Sequence, residues 1–204
     1  MKRQTMVIAL SLATIACVAQ NKANGHEYVD LGLSVKWATC NIGASKASDY
    51  GDYIAWGESA PKSSYTADNC VTSGKDISDF SGNATYDAAR KLWGGSWRMP
   101  TYTEMKELTD KCTWEWTTQG GHKGYKVTGP NGNSIFLPSP GYYLGAECQF
   151  QEDYGGYWTS TPYDSAKDPQ LLNCYRLYFR GEGNVHRVGF RMRDRGRSIR
   201  PVID

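Results

Sequence analysis

The sequence lacks several patterns that identify common classes of protein. Its one long apolar run, residues 6–16, is well short of the roughly 20 residues that a transmembrane helix needs. No two cysteines are close enough for a CxxC metal or redox motif, and the three histidines are far apart. There is no Gly-x-Ser-x-Gly nucleophile elbow, no repeat of fixed period and no low-complexity tract. These absences argue against membrane-spanning proteins, repeat proteins and common hydrolases.

The beginning of the chain has the three zones of a secretory signal. Residues 1–4 are short and basic, residues 6–16 are apolar apart from two hydroxyl side chains, and residues 17–19 end in small side chains. A charged, then apolar, then small-residue pattern is typical of a signal that is removed on export. We therefore predict cleavage after Ala19.

This signal sets the predicted domain boundaries. We expect a signal peptide at 1–19, a short N-terminal segment at 20–26 and one domain over 27–204, in a protein that is secreted, periplasmic or on the cell surface. Two alternatives stay open. One is a lipoprotein signal acylated at Cys17, the only case in which we expect a membrane partner, and the other is a buried N-terminal helix.

The composition is that of a globular, aromatic-rich domain. Apolar residues make up 40% of the chain and charged residues 22%, and there are 7 Trp, 14 Tyr and 22 Gly. This mixture favours short strands joined by ordered loops. Beyond the signal lie five cysteines, an odd number, so disulfides and buried free thiols both stay open for Cys40, Cys70, Cys112, Cys148 and Cys174.

Charge is unevenly distributed, although the net charge is only +2. Residues 176–200 contain eight arginines and no lysine, against Glu182 and Asp194, whereas residues 25–175 are net acidic. The planar guanidinium suits carboxylates, sulfates and phosphates. The strip is therefore either a surface for an anionic partner or a set of arginines that pair with the acidic body and support the fold.

Local patterns predict an α+β domain with two helices and short strands. The clearest signal is Thr101 followed by Glu104, a capping box that starts a helix ending near Lys111. A second, shorter helix is predicted over 84–92. Strands are predicted at 28–37, 112–117, 125–128, 134–138, 171–179, 185–190 and 198–202, with 142–157 as a loop. Trp37, Trp97, Leu108 and Trp114 are assigned to the core.

Five segments together resemble the Fibrobacter succinogenes major paralogous domain family of exported proteins and lipoproteins. They are YVDLGLSVKWATCN at 28–41, GDYIAWGE at 51–58, GSWRMPTYTE at 95–104, YWTST at 157–161 and SIRPV at 198–202. The resemblance covers residues 27–203. It implies a C-type-lectin-like fold related to that of formylglycine-generating enzymes, with two helices packed on short, mostly antiparallel strands. It also implies a display face between residues 157 and 197.

The motifs of the enzymatic and sugar-binding relatives are missing. Formylglycine-generating enzymes hold copper with two nearby cysteines, whereas only Cys174 lies in the corresponding region and Cys148 lies in a different block. The His-x-x-x-His-x-Glu motif of iron-dependent sulfoxide synthases is absent, as are the Glu-Pro-Asn and Trp-Asn-Asp signatures of calcium-dependent lectins. We expect no cofactor and no catalytic residue; a structural calcium ion held by loop oxygens has no motif in its support.

These observations favour a non-catalytic binding or adhesion module for a glycan, an anionic polymer or a protein, and not for nucleic acid. The alternative is a formylglycine-generating-enzyme-like oxidoreductase or modifying enzyme that uses Cys174. Aromatic and arginine side chains dominate binding hot spots, and Trp158 and Tyr175 could equally belong to the core. The candidate ligand-binding residues are Tyr157, Trp158, Tyr163, Asp164, Tyr175, Arg176, His186, Arg187, Arg191, Arg193 and Arg195.

Overall fold

The computed structural model describes residues 21–181 and 185–204. The predicted signal peptide and Cys17 lie outside these residues, as does most of the turn at 181–184. Within the described part there are two helices, α1 (Ala88–Trp93) and α2 (Tyr102–Lys111). Neither helix has the length and apolar character needed to cross a membrane. The strands are β1 (Asn21–Ala23), β2 (His26–Val29), β3 (Lys36–Ala38), β4 (Thr113–Gln119), β5 (His122–Thr128), β6 (Ser134–Pro138), β7 (Tyr142–Leu144), β8 (Glu147–Gln149), β9 (Tyr154–Pro162), β10 (Asn173–Arg180), β11 (Val185–Met192) and β12 (Val202–Ile203).

The strands form four small sheets, and every strand pair is antiparallel among the described residues. One sheet has the order β1-β2-β3-β12, so the last strand pairs with a strand near the start of the domain. The others have the orders β11-β10-β9, β4-β5-β6 and β7-β8. Helix α2 packs on the β11-β10-β9 sheet. The predicted α+β class, with two helices and short antiparallel strands, is confirmed.

The capping box predicted from the sequence is present at the start of α2. The Thr101 hydroxyl accepts a hydrogen bond from the Glu104 N–H at 3.3 Å, and the Glu104 carboxylate accepts one from the Thr101 N–H at 2.8 Å. Arg98 holds the same carboxylate through two hydrogen bonds of 2.9 Å and 2.7 Å. The carboxylate of Glu104, in the first turn of α2, is therefore held both by the Thr101 N–H and by the Arg98 guanidinium.

We expect Thr101→Ala to lower the free energy of unfolding by about 1 kcal/mol, because the Glu104 N–H loses its acceptor. Chemical denaturation of the variant measures this change. Thr109→Ala is the matched control, since the exposed Thr109 hydroxyl donates to the Lys106 carbonyl and the Asp110 carboxylate within the same helix and caps neither end of it. Equal losses in the two variants would show that the cap has no special role.

Two groups of buried side chains form the core. One surrounds Trp56, Trp97 and Trp158, and the other surrounds Trp37 and Tyr157. All four residues assigned to the core from the sequence are buried: Trp37, Trp97, Leu108 and Trp114. Both groups take side chains from segments far apart in the chain.

The single strand predicted over 28–37 is wrong, because a turn divides it into β2 and β3. Gly32 has a φ of +73°, and the Asp30 carboxylate accepts its N–H at 2.7 Å. This local Asp–Gly turn competes successfully with the strand. The predicted alternation of buried and exposed residues is nevertheless present on both sides of the turn: Leu31, Val35 and Trp37 are buried, whereas Ser34 is exposed.

Three further predictions need correction. The segment 142–157 is not a loop: it contains β7, β8 and the first residues of β9, and β7 and β8 form a hairpin. The first helix is Ala88–Trp93, because the Asp87 carboxylate caps it by accepting the Arg90 N–H at 3.0 Å. The last strand is only Val202–Ile203, and Ser198 forms an isolated parallel bridge with Tyr157.

Candidate functional site

A cleft of about 710 Å³ opens between the β11-β10-β9 sheet and the β7-β8 hairpin. We call it the arginine cleft, because five arginines line it: Arg176, Arg180, Arg191, Arg195 and Arg197. No carboxylate is among its lining residues in the described part of the chain. Arg195 is paired with the buried Asp194 at 3.1 Å, just outside the lining, so an anion entering the cleft meets the other four arginines without a carboxylate that is bonded to them among the described residues.

Alternation along β10 places the arginines on one face of the sheet. Leu177 and Phe179 are buried in the core, whereas Arg176, Tyr178 and Arg180 line the cleft on the other side. Arg176 lies opposite Gly189 on β11. Since Gly189 has no side chain, this position leaves the cleft open above Arg176.

Arg176 forms the floor of the cleft without any hydrogen-bonding partner. It is 5% exposed, and its Nε and Nη1 atoms have no partner among the described residues. Its Cζ atom lies 4.3 Å from the ring centre of Tyr178 and 5.9 Å from that of Tyr154. Burial first, and repulsion from Arg197 second, lower the pKa of Arg176 to about 10. The guanidinium is a buried cation that packs against two aromatic rings.

Arg197 is a second buried cation beside the floor. It is 1% exposed, and its Nη1 occupies space that a Cβ at residue 156 would take, at 2.3 Å from that position. Gly156 is therefore required for this close approach. The Cζ atom lies 4.6 Å from the Tyr142 ring centre, and Nη1 donates to the Tyr154 hydroxyl at 3.4 Å. The Nε atom has no hydrogen-bonding partner in the described chain.

Part of the rim of the cleft consists of exposed apolar side chains. Of the five exposed large hydrophobic side chains among the described residues, three line this cleft: Leu144 at 43%, Phe150 at 50% and Phe190 at 45% exposure. Arg180 lies over the Phe150 ring at 5.7 Å. Clustered exposed apolar side chains mark interaction surfaces more often than scattered ones do.

Two arginines of the strip support the fold and do not line the cleft. Arg193, a predicted site residue, is 1% exposed, and it donates to the carbonyls of Thr72, Lys75 and Asn173. Its guanidinium also lies 4.5 Å from the ring centre of Trp56. Arg200 is fully buried, and all three of its guanidinium nitrogens donate hydrogen bonds. These two arginines therefore support the fold, through carbonyl and amide oxygens and not through acidic side chains.

The eleven predicted site residues do not form one surface. Arg176, Arg191 and Arg195 line the cleft. Tyr157 and Trp158 are fully buried, and their side chains donate to the Pro138 and Ile54 carbonyls. They belong to the core and offer no surface to a ligand.

The remaining predicted residues lie elsewhere. Tyr163 stacks on Phe190 with ring centres 3.9 Å apart and is an edge-on neighbour of Tyr175 at 5.3 Å. Tyr163 and Asp164 border a separate cavity of about 280 Å³, with Arg193 at its wall. The His186 ring stacks on Trp114 at 4.6 Å, and Arg187 is exposed outside the lining of the arginine cleft.

The prediction missed several residues of the cleft. Arg180 and Tyr178 could have been found from the sequence, because they share a strand face with Arg176 at a spacing of two. The wall residues could not, since the hairpin that carries them was predicted as a loop. They are Tyr142, Leu144 and Phe150.

Two of the cysteines, Cys174 and Cys148, bear on the alternative enzymatic interpretation. Cys174 is fully buried, its thiol donates to the Arg191 carbonyl at 3.7 Å, and burial raises its pKa well above the usual range. Cys148 instead donates to the Pro140 carbonyl at 3.7 Å. A thiol becomes a nucleophile or a metal ligand as the thiolate, which burial disfavours here. Within the described residues, no three His, Cys, Asp or Glu side chains are grouped closely enough to hold a metal ion.

The geometry of the arginine cleft is thus the main guide to function. Comparisons with protein-family models, with characterised proteins and with solved structures found no significant match to this chain.

Proposed function

We propose that this chain is an exported, non-catalytic binding module, and that the arginine cleft holds an anionic ligand. The observation that carries the proposal is the buried, unpartnered guanidinium of Arg176 on the floor of a cleft lined by five arginines and no carboxylate. Buried charges are normally paired, because an unpaired one destabilises the fold. A ligand that supplies the missing negative charge would explain why this arrangement is retained.

Among glycans, anionic polymers and proteins, an acidic or sulfated glycan fits the cleft best. Its volume of about 710 Å³ lies within the range of small-ligand pockets, whereas protein partners bind on broader surfaces. The cleft also offers hydroxyl and amide groups beside the arginines, at Tyr142, Tyr154, Asn173 and Tyr178. These groups can pair with the hydroxyls of a sugar.

The finer fold assignment belongs to the same proposal. The chain has two helices and mostly antiparallel sheets, with the capping box at the start of α2. These features agree with the C-type-lectin-like fold that the resemblance to the major paralogous domain family implies. A fold of this kind carries binding sites on a rigid frame, although fold by itself does not determine function.

A glycan array tests the proposal. We expect the chain to bind sulfated and uronic-acid glycans and not neutral ones, and the double variant Arg180→Ala, Arg191→Ala to bind at least about tenfold more weakly. Both side chains are exposed parts of the cleft, so their removal should leave the fold intact.

Arg187→Ala is the control, because Arg187 belongs to the same strip but does not line the cleft. We expect it to bind nearly as the unmodified chain does. Equal binding of neutral and acidic glycans would contradict an anion site. An equal loss in the control would show that the strip attracts anions at long range and that the cleft has no special part.

A further inference from the structure

We propose that the floor of the arginine cleft is a subsite for a single acidic group carried on a sugar ring, with Arg176 receiving the acid and the apolar rim flanking the ring. The shared chemistry is one oxyanion, a carboxylate or a sulfate ester, projecting from a pyranose. This inference rests on the proposed function and makes it specific. A subsite of this kind binds one sugar unit specifically, whereas a basic surface binds anionic polymers through charge alone.

The state of Arg176 is the first argument. No hydrogen bond to its guanidinium occurs within residues 21–181 and 185–204, and it is nine-tenths buried. Its contacts with the rings of Tyr154 and Tyr178 cover its faces and leave its N–H groups unused. Guanidinium N–H groups pair with the oxygens of carboxylates and related oxyanions. An acid at this position would receive hydrogen bonds that the protein itself leaves unmade.

Access to Arg176 depends on Gly189. The two residues are opposite each other in the antiparallel pair, and a Cβ at residue 189 would lie 3.2 Å from the Tyr178 ring. A side chain there would extend into the cleft over the floor. The backbone of Gly189 does not have a positive φ, so the conformation does not require glycine. Glycine at this position therefore keeps the space above Arg176 open.

The second argument is the apolar rim, which would contact the ring of the ligand. Phe150 is about half exposed and lines the cleft together with Leu144. Phe190 is at the edge of the cleft, but its ring is stacked on Tyr163 on the other face of the sheet, so the wall that a ligand can contact is formed by Phe150 and Leu144. Aromatic faces form favourable contacts with the C–H groups of a ring, as apolar pocket walls commonly do for small ligands. A bare inorganic anion would leave these side chains uncovered. The combination therefore favours an acid that carries a ring with an apolar face.

Isothermal titration calorimetry with four probes tests the subsite. They are glucuronate, glucose 6-sulfate, glucose and inorganic sulfate. We expect at least one of the two acidic sugars to bind about tenfold or more tightly than both glucose and inorganic sulfate. The stronger of the two acidic sugars identifies the acid that the subsite prefers.

Two variants locate the binding. Arg176→Gln removes the charge and keeps a polar side chain, and Gly189→Val blocks the space above it; each should weaken binding of the acidic sugar at least about tenfold. Gly189→Ala should have a smaller effect, which gives a graded series. Arg187→Gln is the matched control for loss of one arginine and should leave the affinity unchanged. Circular dichroism confirms that each variant is folded.

Several outcomes would overturn the subsite. If inorganic sulfate bound as tightly as the acidic sugars, the sugar ring would not contribute to binding. If the folded Arg176→Gln variant kept its affinity, Arg176 would not bind the acid. Failure of all four probes would also overturn it. If the array nevertheless shows retention of acidic glycans, the proposed function stands and only the single-sugar subsite is wrong. If the array is negative as well, both are wrong.

Discussion

Arg176→Met should make the protein more stable while it removes binding at the arginine cleft. A pKa of about 10 for Arg176 corresponds to about 3 kcal/mol of unfavourable burial of the charge. The cation–π contact with Tyr178 offsets about 1–2 kcal/mol of this. Methionine fills similar space without a charge, so we expect the free energy of unfolding to rise by about 1–2 kcal/mol.

Urea denaturation at pH 7 measures this change. Because the pKa of Arg176 is lower in the folded protein than in the unfolded chain, the unfavourable term is present below about pH 10 and is relieved as the pH rises through that value. The gain in the variant is therefore fully present at neutral pH. A variant less stable than the unmodified chain would show that Arg176 supports the fold and is not held ready for a ligand.

Arg200→Met should have the opposite and larger effect, a loss of about 3–5 kcal/mol or failure to fold. Arg200 is buried like Arg176, but each of its three guanidinium nitrogens donates at least one hydrogen bond. Its removal leaves buried oxygens without their donor. The acceptors are Asn41 Oδ1 at 2.8 Å, the Ala38 and Thr39 carbonyls at 3.1 Å and the Phe136 carbonyl at 3.0 Å.

The contrast between the two variants is the informative measurement. Both replace a buried arginine with the same residue, so differences in side-chain volume cancel. Thermal denaturation of the two proteins side by side should give midpoints on opposite sides of that of the unmodified chain. Midpoints lowered in both would mean that burial alone, and not hydrogen bonding, determines how much each arginine contributes.

Parts of the fold could be predicted because their signals are local. The capping box needs only Thr101 and Glu104, three residues apart, and it appears where the sequence placed it. The hairpin of β5 and β6 likewise follows from alternation on both sides of a Gly-Pro-Asn-Gly turn at 129–132. In each case the deciding interactions lie within a few residues.

Other parts depend on contacts that no local pattern shows. The alternation over 28–37 predicts one strand, but the Asp30–Gly32 turn is further held by Asn131 and Asn133, which donate to the Asp30 carbonyl. The β7-β8 hairpin is similarly anchored from outside, since Tyr143 exchanges backbone hydrogen bonds with Gly196. Partners about 50–100 residues away decide these structures.

The same limit applies to the site. Counting arginines in the strip cannot separate Arg176 from Arg193, because the difference lies in the carbonyls of Thr72 and Lys75, which reach Arg193 only in the folded chain. Burial of Trp158 is a tertiary property of the same kind. Alternation along β10 was the one sequence signal that could have placed Arg180 on the same strand face as Arg176.

The pairing of β12 with β3 has a consequence for the order in which the molecule forms. Val202 lies opposite Trp37, and the Ile42 N–H donates to the carbonyl of Ile199. The sheet that begins with β1, β2 and β3 therefore cannot be completed until residues 199–203 are available. Such distant pairing slows folding, since a long loop must close before the contacts form. We therefore expect β3 to remain without its β12 partner until nearly all of the described residues have been synthesised.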